Sequence, residues 1–510
     1  MAAHSVTLLP LPPSPTHLRL PLSPTAASSS SSSLSSIHNS APRDLVSWTS
    51  AMARHARRGC LLDASHTFGA MLSSGVEPNY VTLVALVSAC ADFPSSPFAL
   101  SLGRSIHAQA LKRRRTDDAP EELVVFGTAL TDMYAKCGNP HIAGEVFDRM
   151  PVRNTVSFNT MIAGYMRNNK VGSALSLFDR IPKKDMVSWT VVIDGCVKND
   201  LLEEALDYFR AMQLDRIDAD YVTILAVIAA CTGLGALNHG LWIHRYIKNH
   251  GLLGNIRLAN SLIDMYSRCG CVDFAHQVFE SMLNRTTLVS WNSMIVCFAV
   301  NGHCREAIEH FELMQRKGFK PDGVSFTGLL TACSHAGLVD EGLRFYETMK
   351  ESYSLPPRVE HYGCLVDLLS RAGRLEEAMS VVESMPFQPN EVIFCSLLGA
   401  CRVYGDVELA ERVTKYMLQL DPECDSNYIL LSNTYAAFGW WDGANEIRNM
   451  MKAIGVKKTP GFSNIEIDCE IHEFVAGDKS HPQCDNIYAM LNVLHCEMED
   501  ICSYNQPKEY

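Results

Sequence analysis

Apolar side chains recur along most of this chain on the period of an α-helix. In LVSWNSMI (288–295), Val289, Trp291, Met294 and Ile295 fall on one helical face, continued by Phe298. Asn301-Gly302 then interrupts the pattern, because glycine accepts the left-handed backbone that follows a helix end. Ala307, Ile308, Phe311 and Met314 build a second face, and Gly318 and Pro321 stop it. The pattern predicts helix, short turn, helix. One residue fits it poorly: Asn292, beside the tryptophan, is not what helix propensity would choose.

Near-copies occur at VSWTSAM (46–52), VSFNTMI (156–162), VSWTVVI (187–193) and VSFTGLL (324–330). Aligned on Ser47, Ser157, Ser188, Ser290 and Ser325, they are spaced by 110, 31, 102 and 35 residues. Intervening units of 31 to 44 residues fill the long gaps. The predicted units are 45–79, 80–123, 124–154, 155–185, 186–220, 221–255, 256–287, 288–322, 323–358 and 359–390, with two degenerate ones near 391–424 and 425–460. One helical hairpin cannot bury its apolar face, but stacked neighbours can. The expected fold is therefore all-α, an α-solenoid whose first helices line a concave surface. Val289, Trp291, Met294 and Ile295 are expected in its core, and Asn292 is expected to be free to face the groove.

Composition adds three points. The chain has 510 residues, 47% of them hydrophobic, and a net charge of −12. Residues 359–510 hold 11 Lys+Arg against 24 Asp+Glu, so the body before them is near neutral. A neutral body can bind nucleic acid only where contacts to bases supply much of the binding. The basic run Lys112-Arg113-Arg114-Arg115 is a solvated loop or a phosphate contact. Second, the 18 cysteines contain no Cys-x-x-Cys; Cys90, Cys231, Cys333 and Cys401 recur in phase, as reduced thiols packed at tight helix contacts do. Third, residues 1–43 lack any acidic residue and are rich in Ser, Pro, Ala and Leu. They read as an organelle transit peptide, chloroplast before mitochondrion, with a disordered tail as the alternative. No apolar run is long enough to span a bilayer, so no membrane partner is expected.

The units resemble pentatricopeptide repeats, and their mixed lengths resemble the plant PLS subclass. PPRVEHYGCLVDLLSRAGRLEEAMSVVESMPFQPNEVIFCSLLGACRVYGDVELAERV is similar to the last repeats of that subclass and the start of its E extension. NYILLSNTYAAFGWWDGANEIRNMMKAIGVKKTPGF continues the extension, and IEIDCEIHEFVAGDKSHPQCDNIY resembles the short E+ tail. The resemblance covers about residues 45–500. It divides the chain into a leader (1–43), a repeat array (45–390), an E extension (391–460) and an E+ tail (461–510). It implies an organellar factor that binds single-stranded RNA and selects a cytidine for conversion to uridine.

In that family each repeat contacts one nucleotide, and its fifth and last residues choose the base. Asn and Thr can donate and accept at a Watson–Crick edge; Leu and Val cannot. Carried over, Asn292 with Asp322 and Asn159 with Asp185 favour U. Thr190 with Asp220 favours G. Thr49 with Asn79 and Thr128 with Asn154 favour A, and Asn260 with Thr287 a pyrimidine. Val84, Leu225, Thr327/Arg358 and Gly363/Asn390 receive no base. The implied pattern is A-x-A-U-G-x-Y-U-x-x, with the edited C four nucleotides 3′ of the last aligned base. For any one of these residues alone, a solvated helix surface is the competing explanation.

Zinc-dependent cytidine deamination needs H-x-E followed by P-C-x-x-C. His310-Phe311-Glu312 and His495-Cys496-Glu497 match the first part, but no P-C-x-x-C accompanies them. No catalytic residue, metal or cofactor is therefore expected in this chain. The alternation of Ile465, Ile467, Cys469 and Ile471 with acidic residues predicts a strand in the tail. His472, Glu473, Asp478, His481 and Cys484 there have no usual zinc spacing. The resemblance implies a DYW-type cytidine deaminase acting in trans, recruited through the acidic E/E+ region with other editing-complex proteins. Phe462-Ser463-Asn464 departs from the family's Cys-Ser-Trp. Two other readings stand beside this one: an RNA-binding protein for transcript stability, splicing or translation, and a protein-binding helical scaffold.

Overall fold

The computed structural model describes residues 44–113, 120–282, 286–420, 424–458, 460–467 and 470–504. The expected leader 1–43 lies outside them, as do Arg114, Arg115, Asp468 and Cys469. Among the described residues there are 25 α-helices, 24 of them in twelve antiparallel pairs. The chain forms two compact units, Met1–Val152 and Arg153–Tyr510. The first holds three pairs, from Leu45–Arg57 with Leu61–Ser73 to Pro120–Lys136 with Pro140–Asp148. The second holds nine, from Thr155–Arg167 with Val171–Asp179 to Asp425–Ala437 with Trp441–Ile454. Within each unit the first helix of a pair packs on its own second helix and on the first helix of the next pair. This is the expected all-α architecture of stacked hairpins.

The pair Leu288–Val300 and Cys304–Arg316 shows how the sequence specifies it. Thr287 caps the first helix: its hydroxyl accepts from Ser290 N–H, and Ser290 returns a bond to the Thr287 N–H. Such a capping box satisfies two amides that a helix start leaves unpaired. Gly302, at φ +80°, makes the turn. Trp291, Met294, Ile295 and Phe298 are buried against Ala307, Phe311 and their neighbours, and Trp291 meets Phe279 edge-on at 4.8 Å. Val289 does not join them. It is 60% exposed, because the second position of a first helix points away from the partner helix.

The long units carry a further device. Gly103, Gly240 and Gly342 sit in second helices, where a Cβ would lie 2.5, 2.4 and 2.4 Å from Met133, Met265 and Leu368 of the following first helix. Four residues on, His107 Nδ1 meets Tyr134 Oη at 3.0 Å and His244 Nδ1 meets Tyr266 Oη at 2.8 Å. Burial holds both imidazoles below the usual histidine range. Cys90, Cys231, Cys333 and Cys401 are buried at equivalent places, and desolvation pushes each thiol up to about 12. Thiols so far from ionisation are packing groups rather than nucleophiles.

After the last pair, Phe462–Ile467 and Glu470–Val475 form an antiparallel hairpin, followed by the helix Cys484–Tyr504. The single strand expected from the alternation is thus two, with Ile467 paired to Glu470. Within the second unit the hairpin folds back on the repeats. Glu466 accepts from Asn238 N–H at 2.8 Å and His239 N–H at 3.2 Å, and meets the His239 ring. No described helix is long and apolar enough to cross a membrane.

Candidate nucleic-acid interface

Within each compact unit, the residues expected to choose bases lie where two successive first helices begin side by side; Thr128 and Asn154 belong to different compact units. The last residue of a unit is the N-cap of the next first helix. Asn79, Asn154, Asp185, Asp220, Thr287 and Asp322 all hold this position and accept from the backbone N–H three residues on. Each therefore has a structural task whatever else it does. A first-helix cap contributes about 1 kcal/mol.

The best-formed pair is Asn292 with Asp322. Asn292 Nδ2 donates to Asp322 Oδ1 at 2.9 Å. Ser325, the third residue of the next unit, donates its hydroxyl to Asn292 Oδ1 at 2.6 Å and its backbone N–H to Asp322 Oδ1 at 3.0 Å. Asn292 is 5% exposed, which corrects the expectation of a side chain freed from packing. The packing fixes it instead. One amide N–H of Asn292 and the Asp322 Oδ2 atom remain for a ligand, a donor beside an acceptor.

The other pairs are variations. Asn159 Nδ2 donates to Asp185 Oδ1 at 3.4 Å, while its buried Oδ1 has no partner among the described residues. Burial pushes the Asp185 carboxyl up, but the Ser188 N–H and hydroxyl and the Asn159 amide outweigh it and hold the group below the usual range. Thr190 Oγ1 lies 2.6 Å from Thr223 Oγ1, which donates to Asp220 at 2.8 Å. Thr49 repeats this with Thr82 at 2.7 Å, and Thr82 donates to Asn79 at 2.9 Å. In both cases a buried threonine stands between the two expected readers. Thr128 donates to Val124 O at 2.7 Å, and Asn154 caps its helix. Asn260 and Thr287 are not joined: Asn260 Oδ1 is buried without a partner among the described residues, and Thr287 turns to Ser290.

Two kinds of residue escaped the sequence reading. The third-position Ser or Thr was visible as the S of VSW and VSF, but its role depends on the preceding unit. Val289, at the second position, was assigned to the core. Val46, Val156, Val289, Val324 and Val392 are instead all more than half exposed, in phase along the first helices. An exposed valine stands one turn before Thr49, Thr128, Asn159, Thr190 and Asn292, whereas Arg257 stands before Asn260.

The H-x-E triplets do not form a site. His310 packs on Phe298 and Trp291, with Nδ1 on Glu306 O at 3.0 Å. His495 lies in the helix Cys484–Tyr504, and no P-C-x-x-C accompanies it in the sequence. His472 and His481 meet at 3.1 Å, but among the described residues no three or more His, Cys, Asp or Glu are grouped to hold a metal ion. Lys112 is exposed at the end of Ala99–Arg113.

Comparison with known proteins decides the family. A chain from Arabidopsis thaliana, "Pentatricopeptide repeat-containing protein At1g05750, chloroplastic", is 52% identical over 463 residues, covering 90% of this chain and 91% of its own. This chain belongs to the pentatricopeptide repeat family. Its repeats match the PPR repeat at 46–76, 128–155, 156–186, 187–217, 258–286, 324–353 and 360–387, and the PPR repeat family at 286–335. The E motif matches 404–466 and the E+ motif 471–498. A second Arabidopsis thaliana protein, "Pentatricopeptide repeat-containing protein At1g08070, chloroplastic", is 37% identical over 84% of this chain, which spans only 53% of that longer relative. The crystal structure of the pentatricopeptide repeat protein PPR10 from maize shares the fold, with a TM-score of 0.58 at 18% identity over 82% of this chain and 60% of that one.

Proposed function

We propose that this pentatricopeptide repeat protein binds single-stranded organellar RNA base by base and selects cytidines for C-to-U editing. On this reading residues 45–390 recognise sequence. Residues 391–460 and 461–510 recruit a DYW-type cytidine deaminase in trans, with other editing-complex proteins. The chain is then a specificity subunit acting in the chloroplast.

One observation carries the proposal: at first-helix starts four pairs of fifth and last residues are joined directly or through one threonine, with an exposed valine one turn before each fifth residue. Bulk charge does not favour RNA here. A set of oriented donors and acceptors compensates, since such groups give base contacts independent of phosphate attraction. The E and E+ motifs support editing over simple transcript protection, which needs no such tail. They also weigh against a protein scaffold.

The test is sequencing of chloroplast and mitochondrial RNA from a plant lacking the protein. Loss of C-to-U conversion at one or a few sites is expected. Unchanged conversion everywhere, with altered stability or splicing of one transcript, would replace editing by the second role. Asn292→Thr with Asp322→Asn is expected to move the preferred base at one position from U to A. Equal binding of both RNAs by both proteins would show that the pair does not choose a base.

A further inference from the structure

Beyond Asn292 and Asp322 the well-formed pairs stop. Unit 323–358 pairs Thr327 with Arg358, and unit 359–390 has Gly363 at its fifth position. The polar groups reappear at the other end of the same helices. Positions two, five, nine, twelve and thirteen share one face of a helix. In Val359–Arg371 these are Glu360, Gly363, Asp367, Ser370 and Arg371. A cavity of about 670 Å³ opens there between the helices Gly323–Ala336, Val359–Arg371 and Glu391–Tyr404.

Asp367 is its centre. It accepts from Ser334 Oγ at 2.5 Å, Ser396 Oγ at 2.7 Å and Arg371 Nε at 2.8 Å, the two serines belonging to the flanking units. Burial pushes this carboxyl up, but the two hydroxyls and the guanidinium prevail and keep it below the usual range. Both serine protons are committed to the carboxylate, so the serine oxygens offer lone pairs, and Asp367 Oδ1 retains one of its own. The Ser370 hydroxyl is buried at the wall with no partner among the described residues. Tyr404, its hydroxyl bonded to Arg371 O at 2.5 Å, adds a flat ring. The volume lies in the range of small-ligand sites, about 300–1,000 Å³.

Carboxylate and serine oxygens that accept, next to the remaining N–H groups of Arg371 that donate, suit a flat group with a hydrogen-bond donor beside an acceptor, set against the aromatic plane. We propose that this cavity holds one unpaired nucleobase bearing an exocyclic amino group, outside the stretch set by the fifth- and last-position pairs. The proposal rests on the RNA-binding reading. It adds a position where uracil, which has no amino group, is disfavoured.

The experiment uses the purified full chain and an RNA pool. The bases assigned to the well-formed pairs are held constant and several nucleotides on each side are randomised; a second pool carries a scrambled core. Selection for binding is followed by sequencing. Uracil is expected to be depleted about tenfold at one flanking position, the scale of one hydrogen bond to a charged group. Asp367→Asn should abolish that depletion and keep the preference for the core. If Asp367→Asn does not fold, Tyr404→Leu, which removes the ring and keeps the carboxylate, is expected to weaken the same depletion. A preferred core with flat flanks, or a depletion unchanged by the variant, overturns the pocket alone. Equal binding of core and scrambled core, with no preference anywhere, overturns the pocket and base recognition together.

Discussion

Ser325 illustrates what a single residue does in this array. It is fully buried and belongs to three interactions: the cap on its own helix, the Asp322 carboxylate and the amide of Asn292 in the preceding unit. Ser188 occupies the equivalent place but leaves Asn159 Oδ1 without a partner, so it serves the cap and Asp185 only. Replacing each by alanine separates the roles. Ser188→Ala is expected to cost about 1 kcal/mol of local stability, the value of a cap. Ser325→Ala adds a buried acceptor left unmade, about 1–3 kcal/mol more. Repeat arrays do not unfold all-or-none, so hydrogen exchange of the amides in Met186–Lys198 and Gly323–Ala336 is the measurement. Equal effects of the two substitutions would mean that Ser325 does not hold Asn292. The candidate reader was legible in the sequence, as an asparagine out of place on an apolar helix. Its support was not, because the contact spans 33 residues and a serine at N3 already explains itself as a capping residue.

At the level of elements, helix and turn positions followed from apolar period and glycine placement, and the hairpins appear where those signals put them. What the period did not convey is how closely helices approach. Gly342 lies on the second helix of its unit, where a Cβ would fall 2.4 Å from Leu368 Cδ2 and 3.3 Å from Cys333 Cβ. Gly69 also lies inside a second helix but faces open space. Sequence alone treats both as helix-weakening residues. Their alanine variants are expected to differ in sign. Gly69→Ala should stabilise by up to about 1 kcal/mol through helix propensity. Gly342→Ala should destabilise by about 1–3 kcal/mol through overpacking, because Leu368 is itself enclosed. Hydrogen exchange of the amides in the two second helices checks this, and stabilisation of Gly342→Ala would show that the contact is slack. The same spacing explains the exposed valines. A period of 3.6 places position two about 170° round the helix from the core positions four, seven, eight and eleven, on the face it shares with position five.

The largest departure from what the sequence conveys joins residues 228 apart. The helix Leu237–Asn249 begins at Ala236, which has no side chain to cap it. Glu466, on the hairpin that follows the last repeat pair, supplies the missing acceptor to the amides of Asn238 and His239 and lies against the His239 ring. Its side chain is 6% exposed there. A carboxylate at a helix start gains from both the free N–H groups and the helix dipole, together about 2 kcal/mol. Nothing in either local sequence calls for the other, since an uncapped helix and an acidic strand are each ordinary alone. The contact fastens the acidic tail to the repeats, so that on the proposed function a recruited deaminase would meet a tail of fixed placement. Glu466→Ala is expected to expose the amides of Asn238 and His239 to hydrogen exchange about 30-fold faster, the equivalent of that energy. It should also admit proteolysis between Gly455 and Phe462. His239→Ala removes the ring but leaves both amide bonds, so its effect should be smaller, and the double variant should add little to Glu466→Ala alone. If Glu466→Ala leaves both amides as protected as before, the hairpin is held by other contacts. The carboxylate would then be a cap of convenience, and the tail's placement would have to come from the apolar residues of the strands.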